Sequence, residues 1–366
     1  MLYEKELKAL KRAKRFRTRR VVDEQLKDFA SNDYLGLAHQ QELHKQSCEY
    51  LNTQSIHASK ASMLVNGYHQ IHKDFEDALS QANGFEEGIV LGSGFNANIA
   101  LIESLVRKGD TLFIDELYHA SGVLASQIGE MDVVFFPHND MESLREKLQA
   151  SKAKRKIIAV EGIYSMDGDL CDKAVFAIDK EFENTLLIVD EAHSSGVVGK
   201  NLMGVFDLYN IKIEPNHIKM GTLGKAYGSF GAYILASSHI VEYLLNRAKP
   251  IIYATSLSLY DTKLAHNALE YILKNKEYLI KEIATRRAIV AEELGIKVEG
   301  LIVPIAVGDN DKVMQIQKNL LHKGYGVGAI RQPTVASAII RLIARLGESP
   351  QDLRRVCKAL VDYGIK

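Results

Sequence analysis

No net charge marks this chain of 366 residues: 46 Lys and Arg are balanced by 46 Asp and Glu. Without a field of one sign, neither nucleic acid nor an anionic membrane surface is drawn to the whole molecule, although local patches can still hold anions. Long hydrophobic runs are missing as well. None approaches the roughly 18–20 apolar residues that cross a bilayer. The N-terminus carries Glu4, Glu6 and a basic run but no apolar h-region, so a secretory signal is not expected. Cysteine is scarce. Cys48, Cys171 and Cys357 lie far apart and fit neither a disulfide framework nor a zinc site, so no metal is expected and a reducing cytoplasm is. Repeats, low-complexity tracts and Pro-rich linkers are also absent. What remains is the composition of an ordinary globular protein, 46% hydrophobic and 25% charged, long enough for one large core and a smaller lobe.

Residues 4–20 space Leu7, Leu10 and Phe16 helically among cations, which predicts a solvated amphipathic helix. In the following LKDFASNDYLGL, Asn32-Asp33 and Gly36 mark a turn. HKDFEDALSQANG predicts a helix closed by Gly84. Apolar, often β-branched runs then predict strands at 88–93, 111–116, 132–138, 156–165, 185–193, 217–222 and 231–237. Several are apolar throughout, as in strands covered on both faces, and helical stretches between them indicate βαβ units. After Thr255 the style changes to a long amphipathic segment, 261–295, followed by short strands (LIVPIAVG, GYGVGAI, AIIRLIAR) and helices. The expected fold class is α/β: a large domain with a mostly parallel central sheet and a small C-terminal α+β domain. The expected divisions are an N-terminal segment 1–40, a large domain 41–258 and a small domain 259–366.

Chemistry-bearing residues fall at the predicted strand ends, where open α/β sheets collect ligands. In GTLGKAYGSFG, Lys225 is boxed by Gly224, Ala226 and Gly228, which leaves room for a planar group beside an amine able to form a Schiff base. In IVDEAHSSG, Asp190 can hold a pyridine nitrogen protonated, and His193 can donate to a phenolic oxygen. A buried Asp at such a place can equally be a helix N-cap or a metal ligand. LGSGFNANIA is a Gly turn entering a helix, suited to phosphate. It also matches the loose dinucleotide fingerprint, with Gly92, Gly94, Ala97 and Asp115, and so keeps a nicotinamide dehydrogenase open. His119 in DELYHASG can stack on a ring or lie on a surface loop. Ser165 in EGIYSMDGD can bond a ring oxygen or simply turn the chain.

Taken together, EGIYSMDGD, IVDEAHSSG, TLGKAYG, SNDYLGL and AIRQPTV resemble the α-oxoamine synthases of the fold-type I pyridoxal-phosphate group, over nearly the whole chain. The resemblance implies pyridoxal 5'-phosphate carried on Lys225, which also moves the substrate's Cα proton. It implies Asp190 at the pyridine nitrogen, His193 at the phenolic oxygen, His119 over the ring, Ser165 and Thr222 at its polar edge, and Gly94–Phe95 at the phosphate. Thr255 would reach the phosphate of a neighbouring subunit, giving a homodimer with shared active sites. Arg17, Asn32 and Thr334 match substrate-facing positions. The implied partners are L-alanine and a pimeloyl thioester, on coenzyme A or a carrier protein. Sibling synthases use another amino acid or acyl chain on the same scaffold, a 2-amino-3-ketobutyrate CoA ligase or an autoinducer or sphingoid-type synthase among them.

Two stretches depart from the family pattern. Ile343 stands where an arginine for the amino-acid carboxylate is expected; Arg341, Arg345 or Arg331 can supply that charge, and Arg341 is taken as the candidate. Met63 and Asn66 replace more usual residues of a substrate loop. The basic run of Arg15, Arg17, Arg19 and Arg20 can meet a terminal carboxylate or carrier phosphates, or be solvated.

Overall fold

The computed structural model describes residues 2–13, 15–19 and 21–364. They fall into two units. The larger holds Asn32–Ser165 and Asp169–Ile283; the smaller holds the residues up to Ser31, the short piece Met166–Gly168, and the chain from Ala284 onward. In chain order the strands are β1 (Lys27–Phe29), β2 (Glu87–Leu91), β3 (Thr111–Asp115), β4 (Asp132–Phe136), β5 (Lys156–Glu161), β6 (Thr185–Asp190), β7 (His217–Thr222), β8 (Ala232–Ala236), β9 (Ile302–Gly308), β10 (Tyr325–Ile330) and β11 (Ala338–Ile343).

The larger unit is built on a seven-stranded sheet, order β2-β8-β7-β6-β5-β3-β4. From β7 to β4 every pairing is parallel; β8 runs antiparallel to both β2 and β7. β3 and β8 are buried along their whole length, as their unbroken apolar runs require, whereas edge strand β4 leaves Asp132 and Phe135 exposed. Leu101, Ile102, Leu112, Ile157, Ile188 and Ile234 join one apolar cluster with Val241 and Leu244, residues of helices Gly94–Leu105 and Ser238–Arg247 among them. Each such side chain contributes about 1.5–3 kcal/mol when fully buried. Helix Gln70–Asn83 stops at Gly84, whose φ of +74° suits glycine.

The smaller unit has a four-stranded sheet, order β1-β10-β11-β9. β1 lies in the stretch read from sequence as a turn, and it pairs in parallel with β10. Three residues are too few for periodicity to reveal a strand, and the pairing partner lies almost 300 residues away, at Tyr325–Val327. The helix expected over residues 4–20 is shorter, Glu4–Arg12. Glu4 and Lys8 pair at 2.7 Å across one turn, but extending the helix would stack Lys11, Arg15 and Arg19 at like-charged i,i+4 positions. Segment 261–295 forms two helices, Leu259–Lys274 and Lys276–Leu294. Asn275 ends the first by donating its amide to Tyr271 O at 2.8 Å. The change of sequence style near residue 258 therefore marks the start of a helix that stays with the larger unit.

Candidate active site

In the larger unit the parallel strands deliver polar residues at their carboxyl ends: Asp115 closes β3, Glu161 β5, Asp190 β6 and Thr222 β7. Lys225 follows β7 in a tight turn closed by Gly228 N–H to Lys225 O (3.0 Å) and Ser229 N–H to Leu223 O (2.9 Å). Gly228 has φ +60°, and a Cβ there would lie 2.4 Å from Ala38 N, so only glycine lets this turn close against the 37–38 backbone.

The half-buried Lys225 Nζ lies 2.8 Å from His193 Nε2. His193 Nδ1 lies 2.5 Å from Tyr34 Oη, which is 3.3 Å from Asn32 Oδ1. The chain of four can shift with the lysine's charge. With Tyr34 donating to Asn32, His193 Nδ1–H donates to Tyr34 and Nε2 accepts from an ammonium. With Tyr34 donating to His193, Nε2–H faces a neutral amine.

Asp190 is buried and receives a donor on each oxygen: Asn98 Nδ2 to Oδ2 at 2.9 Å, and Ala192 N–H to Oδ1 at 2.9 Å. Asn98, on helix Gly94–Leu105, also donates to Ser121 Oγ at 2.9 Å and accepts from Tyr118 Oη at 2.7 Å. Ser121 Oγ in turn lies 2.7 Å from His119 Nδ1. One amide thus ties Asp190 to the segment that carries His119. His119 is exposed as a residue, yet partial desolvation of its imidazole, aided by the charge of Lys225, holds its pKa below the usual histidine value against the pull of Asp190.

Ser165 N–H donates to Glu161 Oε2 at 3.0 Å. Gly94 starts its helix so close to β7 that a Cβ would meet Thr222 Cγ2 at 2.5 Å, and Phe95 beside it is 46% exposed. Thr255 is exposed on the segment after helix Lys249–Ile252. That segment is stapled to the loop carrying Met63 and Asn66: Ser59 Oγ donates to Leu257 O (2.5 Å), Ser62 Oγ to Ile252 O (2.7 Å), and Ser256 N–H to Ala61 O (3.0 Å). On this loop Met63 is half-buried and Asn66 exposed.

The smaller unit holds Arg17, Thr334 and Arg341. Arg17 Nη2 donates to Thr334 Oγ1 at 3.4 Å, so two positions matched to substrate meet each other. Arg341 is buried on β11, opposite Gly328 and Pro304. Arg345 is committed elsewhere, since its buried guanidinium pairs with Asp28 at 2.7 Å. Arg15 and Arg19 are exposed, and Arg20 lies outside the described residues.

The dinucleotide alternative fails on topology. That fingerprint needs a strand, a helix and an adjacent parallel strand. Here, among the described residues, β2 pairs with antiparallel β8 alone, and β3 lies across four strands from it. Asp115 is occupied as well, by His138 Nδ1 (3.1 Å), Leu117 N–H (2.8 Å) and Asn139 N–H (3.0 Å). His138 Nε2 reaches Asp169 at 2.8 Å. Burial opposes the charge on His138, but the two carboxylates win and push its pKa up to about 10. A folded-state pKa above the unfolded value of 6.5 stabilises fully below about pH 6.5 and is lost as pH rises through about 10. His138→Gln should therefore flatten that alkaline decline by about 1 kcal/mol, a figure kept small for solvent screening. Melting temperatures between pH 6.5 and 10 with equal slopes in both proteins would contradict it.

Tyr34, Asn98, Ser121, Glu161 and His138 join the site only in the folded chain. Asn98 left a signal: the second of two amides, Asn96 and Asn98, in the first turns of a mostly apolar helix after the Gly turn, and it is 1% exposed. Glu161 left another, a carboxylate ending an apolar run.

The pattern of class I and II aminotransferases matches residues 24–360. The chain belongs to this family. An 8-amino-7-oxononanoate synthase from Helicobacter pylori (strain ATCC 700392 / 26695) is 43% identical over 363 residues, 99% of this chain and 97% of that one. Another 8-amino-7-oxononanoate synthase, from Geobacter sulfurreducens, is 35% identical and spans 91% of this chain and 88% of its own. Among solved structures, a serine palmitoyltransferase from Sphingomonas wittichii superposes with a TM-score of 0.89 at 23% identity, covering 100% of this chain and 98% of that one. The family match bears out the resemblance drawn from the motifs, and the superposition bears out the fold class. No helix among the described residues is long and apolar enough to cross a membrane.

Proposed function

We propose that this chain carries out the pyridoxal-phosphate-dependent condensation of L-alanine with a pimeloyl thioester, releasing carbon dioxide and the thiol and forming 8-amino-7-oxononanoate for biotin synthesis. The observation that carries the reading is a half-buried lysine amine beside a histidine, in a chain 43% identical along its whole length to a synthase of that name.

The residues present fit the cofactor. The buried Thr222 hydroxyl has no hydrogen-bond partner among the described residues, and Gly94 packs so near it that a Cβ there would meet Thr222 Cγ2 at 2.5 Å, so only glycine keeps this close approach of the helix start. Asp190 would hold the pyridine nitrogen, His193 and Ser165 the phenolic oxygen, His119 the ring face, and Gly94, Phe95 and Thr222 the phosphate end. Pyridoxal phosphate supplies, when bound, an aldehyde for the amino group and an electron sink for the broken Cα bond. Lys225 would carry it covalently and then take and return the Cα proton, a role worth on the order of 10²–10⁴-fold for a positioned base. The Tyr34–His193 pair accommodates Lys225 both before and after that transfer. Asp190, held by Asn98 and Ala192, would present its carboxyl to the ring nitrogen. Arg17, Asn32, Thr334 and Arg341 are the proposed substrate contacts, Arg341 for the alanine carboxylate and the Arg15–Arg19 run for the acyl carrier or terminal carboxylate.

A homodimer with shared sites is supported by the exposed Thr255 and the exposed apolar Phe95, Phe230 and Tyr253. Sedimentation should give twice the chain mass of 40.8 kDa; a species at that mass alone removes the shared site. Three unpaired cysteines suit a cytoplasmic enzyme. Substrate choice is tested by pairing alanine, glycine and serine with acyl thioesters of several lengths and weighing the products. Alanine with pimeloyl thioester should be used at least tenfold faster than any other pair, and a faster glycine or serine reaction would assign the chain to a sibling synthase.

A further inference from the structure

β5 and β6 run in register with Glu161 opposite Asp190, so two carboxyls end neighbouring strands of the larger unit. Glu161 is 1% exposed and Asp190 4%. Two carboxyls this close and this far from water do not both ionise, and the hydrogen-bond donors around them decide which keeps its proton. Asp190 receives an N–H on each oxygen, from Asn98 and Ala192. Glu161 receives one only, from Ser165 N–H on Oε2, while Oε1 is buried with no hydrogen-bond partner among the described residues. Donors stabilise a carboxylate; a bare buried oxygen favours the undissociated acid.

We propose that Glu161 is the neutral member of this pair: a carboxylic acid that fixes the Ser165 backbone through Oε2 and leaves the negative charge of the two strand ends to Asp190. Burial first, and then the charge of Asp190, drive the Glu161 pKa well above the carboxylate range; Asp115 at the end of β3 acts in the same direction. Lys225 and the Ser165 N–H pull the other way and are outweighed. The hydroxyls of Tyr118 and Tyr164 are also within electrostatic reach, and both are held firmly protonated by burial. Glu161 is thus a positioning residue. It sets the backbone that carries Ser165 and spares a bound cation a second charge. The protonation stands apart from the cofactor assignment; the effect on cofactor binding rests on it.

The test is infrared spectroscopy of the full chain at neutral pH, with and without added pyridoxal phosphate. Buried Glu76, whose pKa burial pushes up to about 7, contributes to the carbonyl stretch of undissociated carboxylic acids in both proteins, so the readout is the difference spectrum, in which one acid component of the wild type should be missing from Glu161→Gln. Glu161→Ala should weaken cofactor affinity by about tenfold, the cost of stranding the Ser165 donor, and the neutral amide of Glu161→Gln should recover most of it. The proposal is overturned if the difference spectrum shows no acid component lost from the wild type in Glu161→Gln, or if Gln binds cofactor no better than Ala. An acid component that disappears in Glu161→Gln, in a wild type that fails to bind pyridoxal phosphate, would uphold the neutral acid and bring down the cofactor assignment.

Discussion

Replacing Lys225 with alanine should abolish turnover, on the order of 10⁴-fold or more, while leaving the fold and non-covalent cofactor binding in place. The turn that holds Lys225 is closed by backbone hydrogen bonds and by the contact of Gly228 with the 37–38 backbone, neither of which uses the lysine side chain. Truncation removes an amine that lies against His193 while the turn keeps its backbone bonds, so the melting temperature should move by only a few degrees. Borohydride treatment of the wild type with pyridoxal phosphate should fix the cofactor on the peptide containing Lys225, and no such peptide should form from the variant. A wild-type adduct mapped to another lysine would remove Lys225 from its role. Buried Lys219 is the natural comparison. Its amine is enclosed among Asn83, Met203 and Glu191, and burial lowers its pKa, yet it has no exposed surface through which an aldehyde could reach it.

Lys225, Asp190 and His193 were legible because strand ends in α/β sheets are marked by the end of an apolar run: Asp190 closes β6, and His193 and Lys225 each come three residues after a strand end. The same rule located every strand of the larger sheet, exposed edge strand β4 included, but the expected strands 156–165 and 185–193 run past the ends of β5 and β6 at Glu161 and Asp190, where the chain turns into loops. β1 was not legible. Three residues cannot show a period, and what makes them a strand is the distant β10 backbone. The N-terminal helix was overextended because apolar spacing was weighed without the repulsion among Lys11, Arg15 and Arg19. The supporting side chains were harder still. Asn98 and Tyr118 act through contacts 92 and 20 residues apart in sequence, and nothing local announces that one amide will bridge an aspartate and a serine. Arg341 was separated from Arg345 only by finding Asp28 already on the latter.

Asp190→Asn should lower kcat by about 10²–10³-fold, comparable with removing a preorganised charge from other active sites, while cofactor affinity falls far less. Both oxygens of Asp190 accept N–H donors, and an asparagine can satisfy only one of them, whichever way its amide turns. The variant therefore loses its charge and also sets an N–H against Asn98 or Ala192. Asn98→Ala separates these two effects: it leaves the carboxylate charged but unties it, and should cost roughly tenfold to a hundredfold, as supporting hydrogen bonds typically do. The direct readout is the exchange of the alanine α-hydrogen in D₂O followed by NMR, which needs no acyl thioester. Exchange should be slowest in Asp190→Asn, intermediate in Asn98→Ala and fastest in the wild type. Equal exchange in Asp190→Asn and the wild type would mean that the charge at the end of β6 plays no part in breaking the Cα–H bond, and the role of Asp190 would have to pass to another group.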